Sequence, residues 1–186
     1  NDRQPRLGHI ARRLGEGGNQ IWNAPAVEDR PDVKHERIAL VAKIGENVAV
    51  RGATRMTASD GEVLAAYVHP PANKIGVLVK AEGSQEAARK LAMHIAFAAP
   101  RYATRDEVPE EEVANERAVY EKLPEVESKP EQARGKIVEG MLGKRFFAET
   151  VLADQAWIHE PKKTVAQALD EEGLKVLDFE RFALAE

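Results

Sequence analysis

Five histidines give this 186-residue sequence its widest range of chemistry, because imidazole binds metals and moves protons near neutral pH. No two of them stand three or four residues apart on one predicted helix, and no His-Glu-x-x-His pattern occurs. Cysteine is absent, which excludes thiolate metal ligands, disulfides and cysteine nucleophiles. We therefore expect no metal site. The histidines are His9, His35, His69, His94 and His159.

Two of these histidines lie at the ends of predicted segments, where side chains reach solvent. His69 ends a predicted strand before Pro70-Pro71, and His159 precedes Glu160-Pro161 at the end of another predicted segment. Residues at strand ends beside loops often carry function, although a solvated surface histidine is the simpler interpretation of both. His94 differs, because it lies in the helical segment LAMHIAF, where we expect a helix residue with a satisfied ring nitrogen.

The cluster Gly15-Glu16-Gly17-Gly18 invites comparison with a phosphate-binding loop. It lacks the following Gly-Lys-Ser/Thr, and it follows an amphipathic helical pattern over Leu7–Leu14 instead of a strand. These features favour a helix end with a flexible turn, and a phosphate-handling enzyme is an alternative that rests on this cluster alone. No Gly-x-Ser-x-Gly elbow occurs, so no residue set predicts enzyme chemistry.

The composition is that of a globular domain with a core. Hydrophobic residues make up 43% and charged residues 31%, which excludes wholesale disorder. A net charge of −4 argues against direct binding of nucleic acid, since such binders usually carry a basic surface. The uncharged stretch Leu91–Pro100 is far shorter than the ~20 residues that span a bilayer, so we expect no membrane contact.

The elements that position these side chains alternate between helix and strand. Ile38, Val41 and Ile44 predict a helix, and Ser84 can cap another that ends near Phe97. Strands are predicted at Val48–Met56, Glu62–Pro70 and Ile75–Ala81, with an extended segment at Val151–Pro161 and a last strand within Leu174–Leu184.

Turn and cap residues connect these elements. Asp60-Gly61 predicts a hairpin between the first two strands, and Thr164 with Gln167 predicts a capping box for a helix that closes at Gly173.

A charged region from Thr104 to Phe147 interrupts this pattern. Two helical segments, Pro109–Leu123 and Pro130–Phe147, each begin with proline and carry an apolar stripe. Similar lengths and a short connection favour an antiparallel helical hairpin that projects into solvent. The sequence therefore predicts an α+β fold: an antiparallel three-stranded sheet packed with helices, plus a projecting antiparallel helical hairpin.

Segments in a fixed order from Val33 to Ala185 resemble translation elongation factor Ts, the exchange factor for the GTPase elongation factor Tu. They include the patterns ERIALVAKIGEN, YVHP, KIGVLVKAEG, KLAMHIA and KPEQARGKIVEGML. The matching segments are Glu36–Asn47, Tyr67–Pro70, Lys74–Gly83, Lys90–Ala96, Asp106–Glu111, Lys129–Leu142, His159–Leu169 and Asp178–Leu184.

The resemblance implies a domain organisation and a function. Residues 34–105 and 148–186 correspond to the C-terminal core subdomain, residues 106–147 to the coiled-coil excursion, and residues 1–33 to an N-terminal remnant or linker. It implies a guanine nucleotide exchange factor that binds GDP-bound and nucleotide-free elongation factor Tu, without a cofactor and without enzyme activity. It implies a bacterial cytoplasmic protein, with an organelle as the alternative.

The resemblance also implies which residues contact elongation factor Tu. Ile44 and Gly45 match at the end of the KIGEN helix, His69 matches in YVHP, and Ile158 and His159 match before Glu-Pro. The family usually has a different residue at the position of His159.

Three departures from the family pattern leave the activity open between two alternatives. The sequence has no N-terminal helical module and no Thr-Asp-Phe-Val segment, whose Phe wedges into the G domain of elongation factor Tu. Met141 stands where the family has Arg, and Arg51-Gly52 replaces an Arg-Arg pair. The alternative to an exchange factor is a module that binds elongation factor Tu, or self-associates as a homodimer, without autonomous exchange.

Overall fold

The computed structural model describes residues 20–23, 31–50 and 52–184. The predicted helix Leu7–Leu14 and the cluster Gly15–Gly18 lie outside these residues, as does Arg51. The chain divides into two compact units, Asn1–Asp60 and Gly61–Glu186, and each is described by itself.

The described residues of the first unit form a two-stranded sheet and one helix. Strand β1 (Gln20–Asn23), which the sequence analysis did not predict, pairs antiparallel with β2 (Gly52–Arg55). Helix α1 (Pro31–Ile44) begins at a proline, whose missing N–H costs nothing in a first turn. The predicted hairpin across Asp60-Gly61 is therefore wrong, because β2 takes β1 as its neighbour and residues 56–59 form an irregular connection.

The second unit is built on an antiparallel three-stranded sheet, as predicted. Strands β3 (Glu62–Val68), β4 (Ile75–Glu82) and β5 (Lys175–Ala183) lie in the order β3-β4-β5. The apolar run of β4 explains its central place, since Val79 is fully buried and a central strand has both edges paired.

Helix α2 (Gln85–Ala98) packs against β3 and β4 and closes the core of this unit. The Ser84 hydroxyl accepts a 3.1 Å hydrogen bond from the Ala87 amide, which confirms the predicted cap. Leu91 and Ile95 of α2 are fully buried against the sheet.

The helical hairpin is also confirmed, and it has its own apolar cluster. Its helices are α3 (Glu110–Glu121), the single turn α4 (Pro124–Glu127), α5 (Glu131–Met141), a π-helical segment (Leu142–Phe147) and α6 (Ala148–Thr150). Ion pairs of Arg117 with Glu139 and of Arg145 with Glu125 join its helices on the outside. The buried members of the cluster are Val108, Tyr120, Val126, Val138, Met141, Leu142, Phe146 and Val151.

The chain returns from the hairpin through a compact irregular segment, so the predicted extended stretch Val151–Pro161 is wrong. A 3₁₀ turn at Leu152–Asp154 and further turns bring Trp157 into the core, where it is 4% exposed. Turns in the backbone, and not the alternation of a strand, direct the apolar side chains of this segment towards the core.

Helix α7 (Val165–Glu172) then leads into β5. Its start confirms the predicted capping box: the Gln167 amide donates to the Thr164 hydroxyl at 3.3 Å, and the Thr164 amide donates to Gln167 Oε1 at 2.9 Å. Gly173 closes it with φ +63°.

Candidate partner-binding surface

Ile44 and Gly45 form the C-terminal end of α1 in the first unit. The Gly45 amide donates to the Val41 carbonyl at 2.9 Å, and Gly45 has φ +73°, a left-handed conformation that glycine adopts without strain. Ile38 and Ile44 are about half exposed, at 53% and 48%, so the apolar stripe of α1 stays largely uncovered. This end of α1 presents an aliphatic side chain beside a sharp turn.

His69 lies directly after β3 in the second unit, at the start of a tight turn. Its amide donates to the Ile75 carbonyl at 2.9 Å, and its carbonyl accepts from the Asn73 amide at 3.1 Å. The Nδ1 atom of its ring is hydrogen-bonded to the Tyr67 hydroxyl at 3.1 Å. The ring is exposed but has a fixed orientation, as a binding residue requires.

Ile158 and His159 lie on the segment that follows Trp157. Ile158 is half-buried, and its amide donates to Nδ1 of His94 at 3.4 Å. His159 is exposed, and its Nε2 donates to the Lys90 carbonyl at 3.3 Å. Both residues are therefore tied to α2 by hydrogen bonds, although neither belongs to a helix or strand.

The Trp157 ring of this segment contacts two imidazole rings, with a tilted and an edge-on geometry. The Trp157 ring centroid lies 5.1 Å from that of His94 and 4.8 Å from that of His159. His94 is fully buried, and its Nε2 lies 3.0 Å from Oε1 of Gln155. Burial lowers the pKa of His94 below its ordinary value of 6.5, and the hydrogen bond that the ring donates to Gln155 opposes that effect.

Two lysines with paired carboxylates border the segment. Lys163 lies 2.8 Å from Glu160 and 2.6 Å from Glu171, and these hydrogen-bonded carboxylates raise its pKa. Lys90 lies 3.2 Å from Glu172, whose hydrogen bond raises the pKa of the Lys90 ammonium. The lysines stay charged near neutral pH, and each charge is balanced at the surface.

The structure thus places Ile158 and His159 together on one segment, His69 at the end of β3, and Ile44 with Gly45 in the first unit. The expectation for His94, a helix residue with a satisfied ring nitrogen, is confirmed, and both of its ring nitrogens have partners. The sequence analysis did not identify Gln155, which is buried. The available signal was a polar amide side chain in a largely apolar stretch.

The described residues contain no group of three His, Asp or Glu side chains close enough to hold a metal ion. Within the same residues, no helix combines the length and apolar character that crossing a membrane demands.

The second unit is thus an α+β unit with a helical hairpin inserted before its last strand, and comparison with known proteins gives the family. The model of the family described as "Elongation factor TS" matches residues 17–186. Elongation factor Ts of Vibrio vulnificus (strain YJ016) is 42% identical over 153 residues, which cover 82% of this chain and 52% of that protein. The chain belongs to the elongation factor Ts family.

Two further relatives agree. Elongation factor Ts of Shewanella amazonensis is 43% identical over 174 residues, which cover 90% of this chain and 59% of that protein. Elongation factor Ts of Aliivibrio fischeri is 40% identical over 163 residues, which cover 88% of this chain and 56% of that protein. The chain spans about half the length of the relatives that it matches.

Proposed function

We propose that this chain binds elongation factor Tu, and that the protein to which it belongs promotes GDP release from that GTPase during translation elongation. The observation that carries this proposal is the family match over residues 17–186. It is supported by two residues with hydrogen-bonded positions: the exposed ring of His69 bonds to the Tyr67 hydroxyl, and the backbone amide of half-buried Ile158 bonds to His94 of α2. The activity needs no cofactor and no chemical step, and the bacterial relatives favour the bacterial cytoplasm.

The proposed contact set has two parts. Ile44 and Gly45 supply an exposed aliphatic side chain and a bare turn at the end of α1. His69, Ile158 and His159 supply an imidazole, an aliphatic edge and a second imidazole from the second unit. Aliphatic and aromatic anchors on a fixed backbone lose little conformational entropy on binding, which favours affinity. The hairpin over residues 106–147 would add further contact area.

Exchange demands more than affinity. An exchange factor and GDP weaken each other's binding by the same factor, so a thousandfold acceleration through weaker GDP binding needs ~4 kcal/mol of differential interaction. Contacts that treat both nucleotide states of elongation factor Tu alike supply affinity and no exchange. We assign the proposed contact residues of this chain to that kind. A second candidate is therefore binding of elongation factor Tu without autonomous exchange.

Release of a fluorescent GDP analogue from purified elongation factor Tu separates these candidates. We expect the chain to co-elute with elongation factor Tu, and acceleration of release would exclude the passive module. Co-elution without acceleration would exclude autonomous exchange, and the absence of co-elution would contradict the proposal itself. The control is Leu184→Ala, which truncates a 69% exposed aliphatic side chain outside the proposed contacts.

A further inference from the structure

His94 is a fully buried polar residue that the proposed contact with elongation factor Tu does not include. It nevertheless hydrogen-bonds to both ends of the segment that supplies two contact residues, through Gln155 and through the Ile158 amide. We propose that His94 is a positioning residue, whose neutral imidazole fixes the backbone of the Gln155–His159 segment and so sets where Ile158 and His159 meet the partner. The consequence for binding rests on the proposed function.

The hydrogen bonds of Gln155 determine which ring nitrogen of His94 carries the proton. The Gln155 amide nitrogen donates to two backbone carbonyls, that of Ala98 at 3.2 Å and that of Glu149 at 2.8 Å. Both of its hydrogens are used, so its Oε1 must face His94 as an acceptor. The His94 Nε2 therefore carries the proton and donates at 3.0 Å.

The other ring nitrogen is then free to accept. In the neutral ring with its proton on Nε2, Nδ1 has a lone pair, and the Ile158 amide donates to it. A second proton on the ring would set two N–H groups against each other and leave the part-buried Ile158 amide without this acceptor. The hydrogen bond from the Ile158 amide to His94 of α2 thus forms when the ring is neutral and carries its proton on Nε2.

The charged surroundings of His94 favour that neutral state. His159, on the Gln155–His159 segment, contacts the Trp157 ring, which also contacts the His94 ring. Lys90 lies one turn before His94 on α2 and pairs with Glu172. The titratable groups on the core face of the strands are Tyr67 and Arg181, and Arg181 donates to the Ala96 carbonyl at 3.3 Å. Burial of the ring, and after it the charge of His159, disfavour a positive charge on His94.

The experiment uses the whole chain and three variants. His94→Leu keeps apolar packing and removes both ring nitrogens, whereas His94→Asn keeps an acceptor near the position of Nδ1. Ile95→Val is the matched control, since Ile95 is an equally buried neighbour on the same helix. The readouts are the amide-exchange protection factor of Ile158 and the affinity for elongation factor Tu with bound GDP. Circular dichroism verifies that each variant is folded.

We expect His94→Leu to lower the Ile158 protection factor and the affinity each about tenfold, the effect of one lost buried hydrogen bond. His94→Asn should recover part of both losses, and Ile95→Val should leave both within about twofold. In the wild type, lowering the pH from about 7.5 to about 5.5 should reduce the Ile158 protection factor, whereas His94→Leu should lack that pH dependence.

Two results would overturn the inference. An Ile158 protection factor in His94→Leu equal to that of Ile95→Val would mean that His94 does not hold the segment. A lowered protection factor with unchanged affinity would mean that the segment's position does not matter to the partner. Failure of the wild type to bind elongation factor Tu would overturn the proposed function instead, and the protection factor alone would then decide whether His94 fixes the segment.

Discussion

The side-chain amide of Gln155 donates a 2.8 Å hydrogen bond to the backbone carbonyl of Glu149, at the base of the helical hairpin. The same side chain hydrogen-bonds to His94 and to the Ala98 carbonyl at the end of α2, and its backbone carbonyl accepts from the Val165 amide at the start of α7. One buried residue thereby joins the hairpin, the helix on the sheet and the last helix. Loss of the Gln155 side chain should therefore destabilise the whole second unit.

Gln155→Leu should lower the free energy of unfolding by about 3 kcal/mol, because it leaves two carbonyls and the His94 N–H buried without partners. Urea denaturation measures this change. Gln85→Leu is the control, since exposed Gln85 makes one hydrogen bond, to the Leu64 carbonyl, and its loss should cost less than about 1 kcal/mol. Equal losses in the two variants would contradict the role assigned to Gln155.

Gly83, directly after β4, has a conformation that only glycine tolerates. Its φ is +128°, and a Cβ placed there would lie 2.9 Å from the backbone carbonyl oxygen of Gly173. Gly83→Ala should therefore destabilise the chain by about 3 kcal/mol, through strain and backbone displacement together.

The matched control for Gly83 is Gly173→Ala. Gly173 has φ +63° with open space at its Cβ position, so alanine there should cost only about 1 kcal/mol of left-handed strain. Thermal unfolding of both variants tests the difference. A smaller loss for Gly83→Ala than for Gly173→Ala would mean that the close approach between these two glycines is wrong.

Tyr120 predicts a pH dependence of stability in the hairpin. Burial and then the hydrogen bond with Glu116 raise its pKa from 10.0 to about 12. The folded chain therefore holds the phenol proton where the unfolded chain releases it, so stability from this group is complete below pH 10 and falls as the pH rises towards 12. Ultraviolet titration of tyrosinate should show a late component that is missing from Tyr120→Phe. Identical titration curves for the late phase of the two proteins would contradict this.

Local signals in the sequence were sufficient for elements whose determinants lie within a few residues. The apolar run of β4 indicated a central strand, and Thr164 with Gln167 indicated the start of α7. The pairing of β1 with β2 was missed, since Trp22 and Ala53 are neighbours in the sheet but far apart in the chain. No local pattern specifies such a partner.

The candidate site divides in the same way. The assignment of His69 and Ile158 as contact residues came from the family resemblance and not from any spacing of chemical groups. Imidazole and aliphatic side chains at a surface have no sequence signature of their own. Gln155 is positioned by His94, 61 residues earlier in the chain, so its role appears only after folding. The extended form predicted for its segment failed because burial there follows the core and not the strand period.

The most direct test of the account is the dissociation constant between elongation factor Tu with bound GDP and this chain, measured by titration calorimetry for the wild type, Ile158→Ala and His69→Ala. We expect the wild type to bind, and each substitution to weaken binding about tenfold, as truncation of a central contact does. His35→Ala, an exposed histidine of α1, should leave binding unchanged. A wild-type chain that does not bind, or two substitutions that leave the affinity intact, would contradict the account.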